Sequence, residues 1–406
     1  MFKIRDYEPV VGGEVIDELE LFASRLSGKV IQNVNSTAVG GGVAEILIRM
    51  IPLLKDIGVD ARWDVIKGDE KFYQVTKKMH NALHGGKVNF TQEEIDIFVE
   101  TNRINAASMD LVGDIMFIHD PQPIGLVEPK IKDQKWIWRC HIDFSRPDEF
   151  TWNFLKNYIE KYNISIFSAP SFARQLIIPQ VLISPSIDPL SDKNRDLPQE
   201  TIERVLEQFN IDNKRPIVTQ ISRFDYLKDP VGVVKAYRQV KKYVDCQLVL
   251  AGGGATDDPE GEKVLAEVQE AVGGDKDIFL LLLPPASDIE INALQRASSV
   301  VLQKSLREGF GLTVAEALWK SKPVIAGAVG GIPLQITNKY SGLLTHTIEG
   351  TAFALKQLLQ NPDYAKRLGE NGHEHIKKNF LIIRHLKDYL MLFLSLYHQG
   401  ENIVYL

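Results

Sequence analysis

Short, almost continuously apolar runs recur along this chain, each parted from the next by a stretch with the periodicity of an amphipathic helix. Strands buried on both faces of a parallel sheet read this way, because each needs a helical crossover to bring the chain back. One series runs through KVIQNVNS (29–36), DARWDVI (60–66), DIMFIHD (114–120), WIWRCHID (136–143), ISIFSAP (164–170) and QVLISPSID (180–188). A second runs through RPIVTQISRF (215–224), CQLVLAGGG (246–254), IFLLLLPP (278–285), SVVLQKS (299–305) and KPVIAGAVGG (322–331). Helices are expected over 43–58, 230–243, 260–272 and 381–397, and a Pro-, Asp- and Ser-rich loop, PSIDPLSDKNRDLP (185–198), parts the two series. At 406 residues the chain can bury two cores. The expected fold is α/β: two Rossmann-like, doubly wound domains facing a cleft. The first covers 1–187 and the second 188–380, with a C-terminal helix within 381–406 packing back on the first.

Composition narrows the partners. The chain is 44% apolar and 25% charged, ordinary for a globular protein, and its formal charge of −6 disfavours a nucleic-acid partner. Two cysteines, Cys140 and Cys246, offer no metal spacing and fit a reducing cytoplasm. Adjacent Cys140 and His141 do not face each other as a nucleophile and its base would. The opening MFKIRDYEPVVGGEVIDELE is charged where a secretory signal would be apolar. YLMLFLSLY (389–397) is about half a membrane span and has no basic cluster, so it reads as a packed helix. A cytoplasmic protein without a membrane partner is expected.

Three motifs carry chemistry. VGGG (39–42) joins a strand to a helix, where amides and the helix dipole attract anions. Asp60 and Asp64 lie about twenty residues on, as the ribose acid of a dinucleotide fold would, which makes an NAD-linked oxidoreductase the first rival. Against it, Gly40, Gly41 and Gly42 are consecutive and Glu45 fills the place of the fingerprint's third glycine. AGGG (251–254) reads equally as a turn or a ligand contact. Arg223 and Lys228, in ISRFDYLKDP, follow a strand at its carboxyl end, where open sheets bind ligands, and suit phosphate. In LREGFG-LTVAEALWK a bend opens a helix, and its amides would hold a phosphate. Glu308 could then accept from sugar hydroxyls and Glu316 from a ribose diol. A nucleoside diphosphate sugar satisfies all of these. Metal chemistry is not expected: Asp275 and Asp277 have a D-x-D spacing but read as a solvated turn, and His373 and His375 point apart on a helix.

The run S-x-x-E-G-F-G-L-x-x-x-E-A, Ser305 to Ala317, resembles the E-x7-E signature of retaining glycosyltransferases with the GT-B fold, the group that includes sucrose and glycogen synthases. The likeness extends through ISRFDYLKD, KPVIAGAVGGI and VGGG and covers nearly the whole chain. Within the group, HDPQP (119–123), WRCHID (138–143) and FLIIRHLKDYL (380–390) look most like archaeal enzymes that join nucleotide-activated glucose to free glucose. The resemblance implies that Glu308 binds the donor glucose and Glu316 the ribose. Arg223 and Lys228 would hold the diphosphate with amides around Phe310, Gly311 and Leu312, while Gly41 and Gly42 close over the phosphates. His119 and Asp120 would lie beside the reacting sugars. The implied donor is UDP-glucose or ADP-glucose, the acceptor glucose and the product trehalose, in a reversible reaction. No cofactor is required, a magnesium ion being at most a non-essential companion, and a homodimer is allowed for. Ser321 departs from the glycine usual at that helix end.

Retention by double displacement would need a carboxylate beneath the anomeric carbon, for which Asp120 is the candidate. Front-face displacement is favoured: the leaving phosphate takes the acceptor's proton while Arg223, Lys228 and the helix end stabilise the departing diphosphate. For the acceptor, Trp136, Trp138, His141 and Asp143 on one stretch, with Asp120 and Gln122 on another, offer an apolar face and polar groups. No Arg/Lys cluster accompanies them, which disfavours a sugar phosphate, the other acceptor weighed. A non-catalytic sugar-nucleotide sensor is the remaining alternative, and intact Glu308, Arg223 and Lys228 argue against it. The two halves are expected to close over the donor.

Overall fold

The computed structural model describes residues 2–38, 42–253 and 259–398. Two parallel six-stranded sheets account for both apolar series. The first holds β1 (Val30–Asn35), β2 (Asp60–Val65), β3 (Ile115–His119), β4 (Lys135–Cys140), β5 (Ile164–Phe167) and β6 (Gln180–Leu182), in the order β2-β1-β3-β4-β5-β6. The second holds β7 (Ile217–Ile221), β8 (Gln247–Gly252), β9 (Ile278–Leu282), β10 (Val300–Gln303), β11 (Val324–Gly327) and β12 (Leu343–Thr345), in the order β12-β11-β10-β7-β8-β9. Strand β12 was not expected, since three residues are too few to show a period. QVLISPSID yields only the three residues of β6, and Pro185 beyond it has no amide to give a ladder.

One compact unit runs to Ser186 and resumes at Ile382, and the other spans Ile187–Leu381. In the second unit alternate strand residues feed opposite faces, as the strand period of two requires. Val218, Leu248, Leu250 and Leu302 pack with Val233, Val234 and Tyr237 of the helix Pro230–Lys241 and with Leu355 and Leu358 of Ile348–Gln360. Ile217, Ile221, Val249 and Ala251 pack on the other side with Val205 of Gln199–Gln208 and Leu294 of Asp288–Ala297. In the first unit the helix Ile382–Ser395 lies on the sheet, with Tyr389 and Phe393 edge-on to Phe117 of β3 at 5.0 and 5.7 Å.

The segment 185–198 is firmer than its composition suggests. Ile187 N donates to Phe380 O at 2.9 Å, and the side chains of Ser191 and Asn194 fold back onto Asp188 O at 2.8 and 3.0 Å. Short polar side chains bond to nearby backbone in this way where no ladder is available. No helix among the described residues is long and apolar enough to cross a membrane.

Each strand order reverses once, between β1 and β3 in the first sheet and between β7 and β10 in the second. Crossovers leave such a point in opposite directions, so a crevice opens outside the carboxyl ends of the two strands.

Candidate active site

In the second unit the reversal point carries two loops. β7 leads through Arg223 to the short turn Tyr226–Lys228, and β10 leads into the bend before the helix Leu312–Trp319. They are tied into one body: Gln220 Oε1 accepts from Lys304 N at 3.0 Å, its Nε2 donates to Lys228 O at 3.0 Å, and Leu306 N donates to Leu227 O at 2.7 Å. Lys228 Nζ meets Glu308 Oε2 at 2.6 Å, and Ser305 Oγ donates to the same oxygen at 3.1 Å. The two side chains are only 18% and 11% exposed, so water screens the pair weakly. Lys228 thus offsets the charge of Glu308. Arg223, by contrast, is 65% exposed, and among the described residues its ion-pair partner is Asp225 at 3.3 Å.

Glycines shape the bend. Gly311, at φ +84°, precedes the helix Leu312–Trp319 and has no side chain to cap it; Val314 N donates to Gly311 O at 2.9 Å, and a helix start of this kind suits an anion at the amides before it. Gly330, at φ +56°, lies so close that a Cβ there would overlap the Glu308 carbonyl, and a Cβ on Gly331 would sit 2.7 Å from Gly309 O. Gln335 Nε2 locks the arrangement by donating to Phe310 O at 2.5 Å. The Gly-Gly of AVGGI thus exists to let its backbone lie against REGFG. Phe310 itself is buried, its ring 5.4 Å from that of Phe380, so its backbone is what the site can use. Leu312 begins the helix, and Glu316, 3% exposed, follows on its buried side. Ser321 adopts φ +57°, the left-handed turn for which glycine is unstrained.

In the first unit His119 ends β3, Asp120 follows it, and His141 follows β4. Asp120 takes φ +66°, and three bonds fix it: its amide donates to Arg139 O at 2.7 Å, its Oδ1 accepts from His141 N at 2.7 Å, and its carbonyl accepts from Trp138 Nε1 at 2.9 Å. Burial pushes its carboxyl up to about 6, against the pull of the His141 amide and Arg139. Arg139 Nε stands 3.5 Å from His141 Nδ1, His141 Nε2 is 3.2 Å from His119 Nδ1, and His119 Nε2 is 3.1 Å from Asn33 Oδ1. An arginine only donates and an amide oxygen only accepts, so the series runs Arg139 to His141 to His119 to Asn33 with both rings neutral. Burial and then Arg139 push His119 down to about 3 and His141 well below its ordinary value.

Five expected site residues are corrected or unplaced. Trp138 is fully buried against Phe144 and Phe167, as Trp136 is against Tyr162, so neither presents a face to a sugar; Trp138 instead holds Asp120. His119 is buried with both ring nitrogens engaged, which removes its side chain as a base and makes it a support for His141. Asp143 is buried and caps a turn, its Oδ1 accepting from Ser145 N at 2.9 Å. Gly41 lies outside the described residues, while Gly42 opens the helix Gly42–Asp56. Gln122 is half-buried beside Asn102, whose Nδ2 donates to its carbonyl at 3.0 Å. Asp277 is no solvated turn: Arg215 and Lys241 reach it at 2.6 and 2.7 Å. No cluster of three His, Cys, Asp or Glu among the described residues suits a metal ion. Nothing in the sequence singles out Asn33, Arg139 and Gln220, polar residues within mostly apolar strands, or Gln335 at the end of the helix Ile332–Gln335, because a buried polar residue signals only that something must satisfy it.

Residues 33–174 match the family model for the trehalose synthase N-terminal domain, and residues 201–375 match that for glycosyl transferases group 1. The chain is 44% identical over 396 residues, 96% of both chains, to the trehalose synthase of Thermococcus litoralis. It is 43% identical over 407 residues, 97% of both, to that of Rubrobacter xylanophilus. The solved sucrose-phosphate synthase of Thermosynechococcus elongatus superposes with a TM-score of 0.71 at 19% identity, covering 92% of this chain and all of that one, which shows a shared fold.

Proposed function

Since the chain belongs to the trehalose synthase family of GT-B glycosyltransferases, we propose that it moves glucose from UDP-glucose or ADP-glucose to free glucose, with retention, giving trehalose reversibly. The observation that carries this is the Lys228–Glu308 pair at the reversal point of the second sheet, beside a mostly exposed Arg223. A diphosphate seated there would draw on Lys228, Arg223 and the first turn of Leu312–Trp319, while Glu308 takes sugar hydroxyls and Glu316 the ribose. Lys228, Arg223 and the helix start act on a leaving group that becomes more negative in the transition state, where fixed donors accelerate most. The departing phosphate oxygen takes the acceptor's proton as the new bond forms on the same face. Asp120 is a poor nucleophile for the double displacement: one oxygen is taken by the His141 amide, and burial favours its protonated form.

On the acceptor side Asp120, His141 and Gln122 remain as polar contacts for a neutral sugar. Arg139, two residues before His141, is buried and donates to Ile183 O at 2.9 Å, so it is poorly placed for an acceptor phosphate. The buried free cysteines Cys140 and Cys246 suit a reducing cytoplasm, and the reaction is read as needing no resident cofactor. Rates with glucose, glucose 6-phosphate and fructose 6-phosphate, on either donor, test the reading. Glucose should lead and the product should be the α,α-1,1 disaccharide; a clear preference for either phosphate overturns the acceptor assignment.

A further inference from the structure

A second ion pair stands directly behind Lys228 and Glu308. Lys304, the residue after β10, is buried, and its ammonium pairs with the carboxylate of Asp229, the residue after Lys228. Asp229 divides its oxygens between two tasks. Oδ1 accepts from Gly232 N at 3.0 Å, capping the helix Pro230–Lys241, while Oδ2 takes the Lys304 ammonium. The backbone of Asp229 stands at φ +46°, so the chain turns at this one residue between Lys228 and the helix. Gln220 holds the backbone of both lysines, accepting from Lys304 N at 3.0 Å and donating to Lys228 O at 3.0 Å. Two ammoniums and two carboxylates are thus sorted into Lys304 with Asp229 and Lys228 with Glu308. Capping does not require the charge on Asp229, since asparagine caps a helix equally well. Once the charge is there, a carboxylate only 20% exposed needs a counter-ion, and the cation next to it in the chain is Lys228.

We propose that Lys304 is a positioning residue for Lys228: by holding Asp229, it keeps that carboxylate from drawing the neighbouring ammonium away from Glu308 and the donor's diphosphate. The inference rests on the reading of Lys228 as a diphosphate ligand. A lysine carries a point charge on a flexible stem, so an unpaired carboxylate within reach redirects it. With Lys304 in place Asp229 is satisfied, and Lys228 turns to Glu308. Without Lys304, Asp229 keeps its charge in a poorly solvated place one residue from Lys228. A Lys304 that merely fastened the loop to β10 would give a different pattern, because the fastening is lost whichever partner is removed.

Calorimetric binding of UDP and ADP to three folded variants separates these roles, with denaturant melts on the same samples. Lys304→Met should weaken both nucleotides by about tenfold, the scale of a hydrogen bond between charged groups. Asp229→Asn breaks the same ion pair but leaves no competing charge and keeps the helix cap, so it should bind them no more weakly than the wild type. The double variant should likewise regain wild-type affinity, although it is as unfastened as either single one. No loss in Lys304→Met overturns the proposal, and so does a tenfold loss in Asp229→Asn or in the double variant. Those last two decide the matter even if Lys304→Met does not fold. Lys228→Met tells the two levels apart. If it weakens UDP and ADP while Lys304→Met does not, only the role of Lys304 falls. If it changes nothing, the reading of Lys228 falls and this inference with it.

Discussion

Behind the carboxyl ends of β3 and β4, the first unit keeps neutral imidazoles strung between a buried guanidinium and an asparagine. At the carboxyl ends of β7 and β10, the second unit keeps an ammonium paired with a carboxylate and an exposed arginine beside them. The strand plan is shared; the electrical state is not. A neutral sugar needs oriented donors and acceptors, which uncharged rings supply without attracting stray ions. A diphosphate needs compensating positive charge where its own charge grows. The contrast teaches that a doubly wound sheet fixes where a ligand sits, while the loops at its reversal point decide what charge that ligand carries.

The contrast can be broken most violently at Gly330. Alanine there would force the AVGGI turn off the Glu308 carbonyl and strain a left-handed φ, so Gly330→Ala should lose about a hundredfold in turnover and about 2–3 kcal/mol in stability. Denaturant melts and initial rates check both, and a wild-type rate would mean the bend does not set the geometry of Glu308. Arg223→Ala comes next. Its side chain is mostly exposed, so stability should hold while the barrier rises by about 2–4 kcal/mol. Unchanged turnover in the folded variant would move the burden of catalysis to the first unit.

Acid should part the two units more gently. His119, His141 and His385 are all pushed down by burial, so below the ordinary value of 6.5 the unfolded chain binds protons that the folded unit refuses. Their contribution to stability is full above that value and falls as pH drops. Asp120 works the other way, since its carboxyl at about 6 binds a proton before its unfolded counterpart at 3.8, and it offsets one of the three. In the second unit Asp277 is pushed down by Arg215 and Lys241, so its contribution is present above 3.8 and is lost only on stronger acidification. Trp63, Trp136, Trp138 and Trp152 report the first unit and Trp319 the second. Thermal melts followed by tryptophan fluorescence should therefore weaken between about pH 6.5 and about pH 5, ahead of any loss in a Trp319-only variant. The smallest effect is expected from chelation. With Arg223, Lys228 and a helix end to meet the diphosphate, EDTA should leave turnover within about twofold. A large loss restored by magnesium would show that protein charge alone is insufficient.

The sheets and the two loops that bring Lys228 to Glu308 are legible because their signals are local: an apolar run, a bend and a helix lie within some twenty residues of one another. What stayed hidden depends on distant partners. His119 looked like a reacting group until Asn33, 86 residues away, was seen to occupy its far nitrogen. Trp138 could not be assigned a face, since strands covered on both sides show no polar alternation. The segment 185–198 has the composition of a loose connector, yet Asn194 is held by Lys320 from 126 residues further on.

The second unit is spelled inside the first, which pauses at Ser186 and resumes at Ile382. On a ribosome this sets a schedule. The sheet of the first unit emerges early, but the helix that covers Phe117 and lays Tyr389 against Arg139 is made last. At ordinary elongation rates the nascent sheet waits on the order of tens of seconds with that face uncovered, while the inserted unit has every one of its own strands in hand and folds first. The unit begun before the insertion is thus finished only after it.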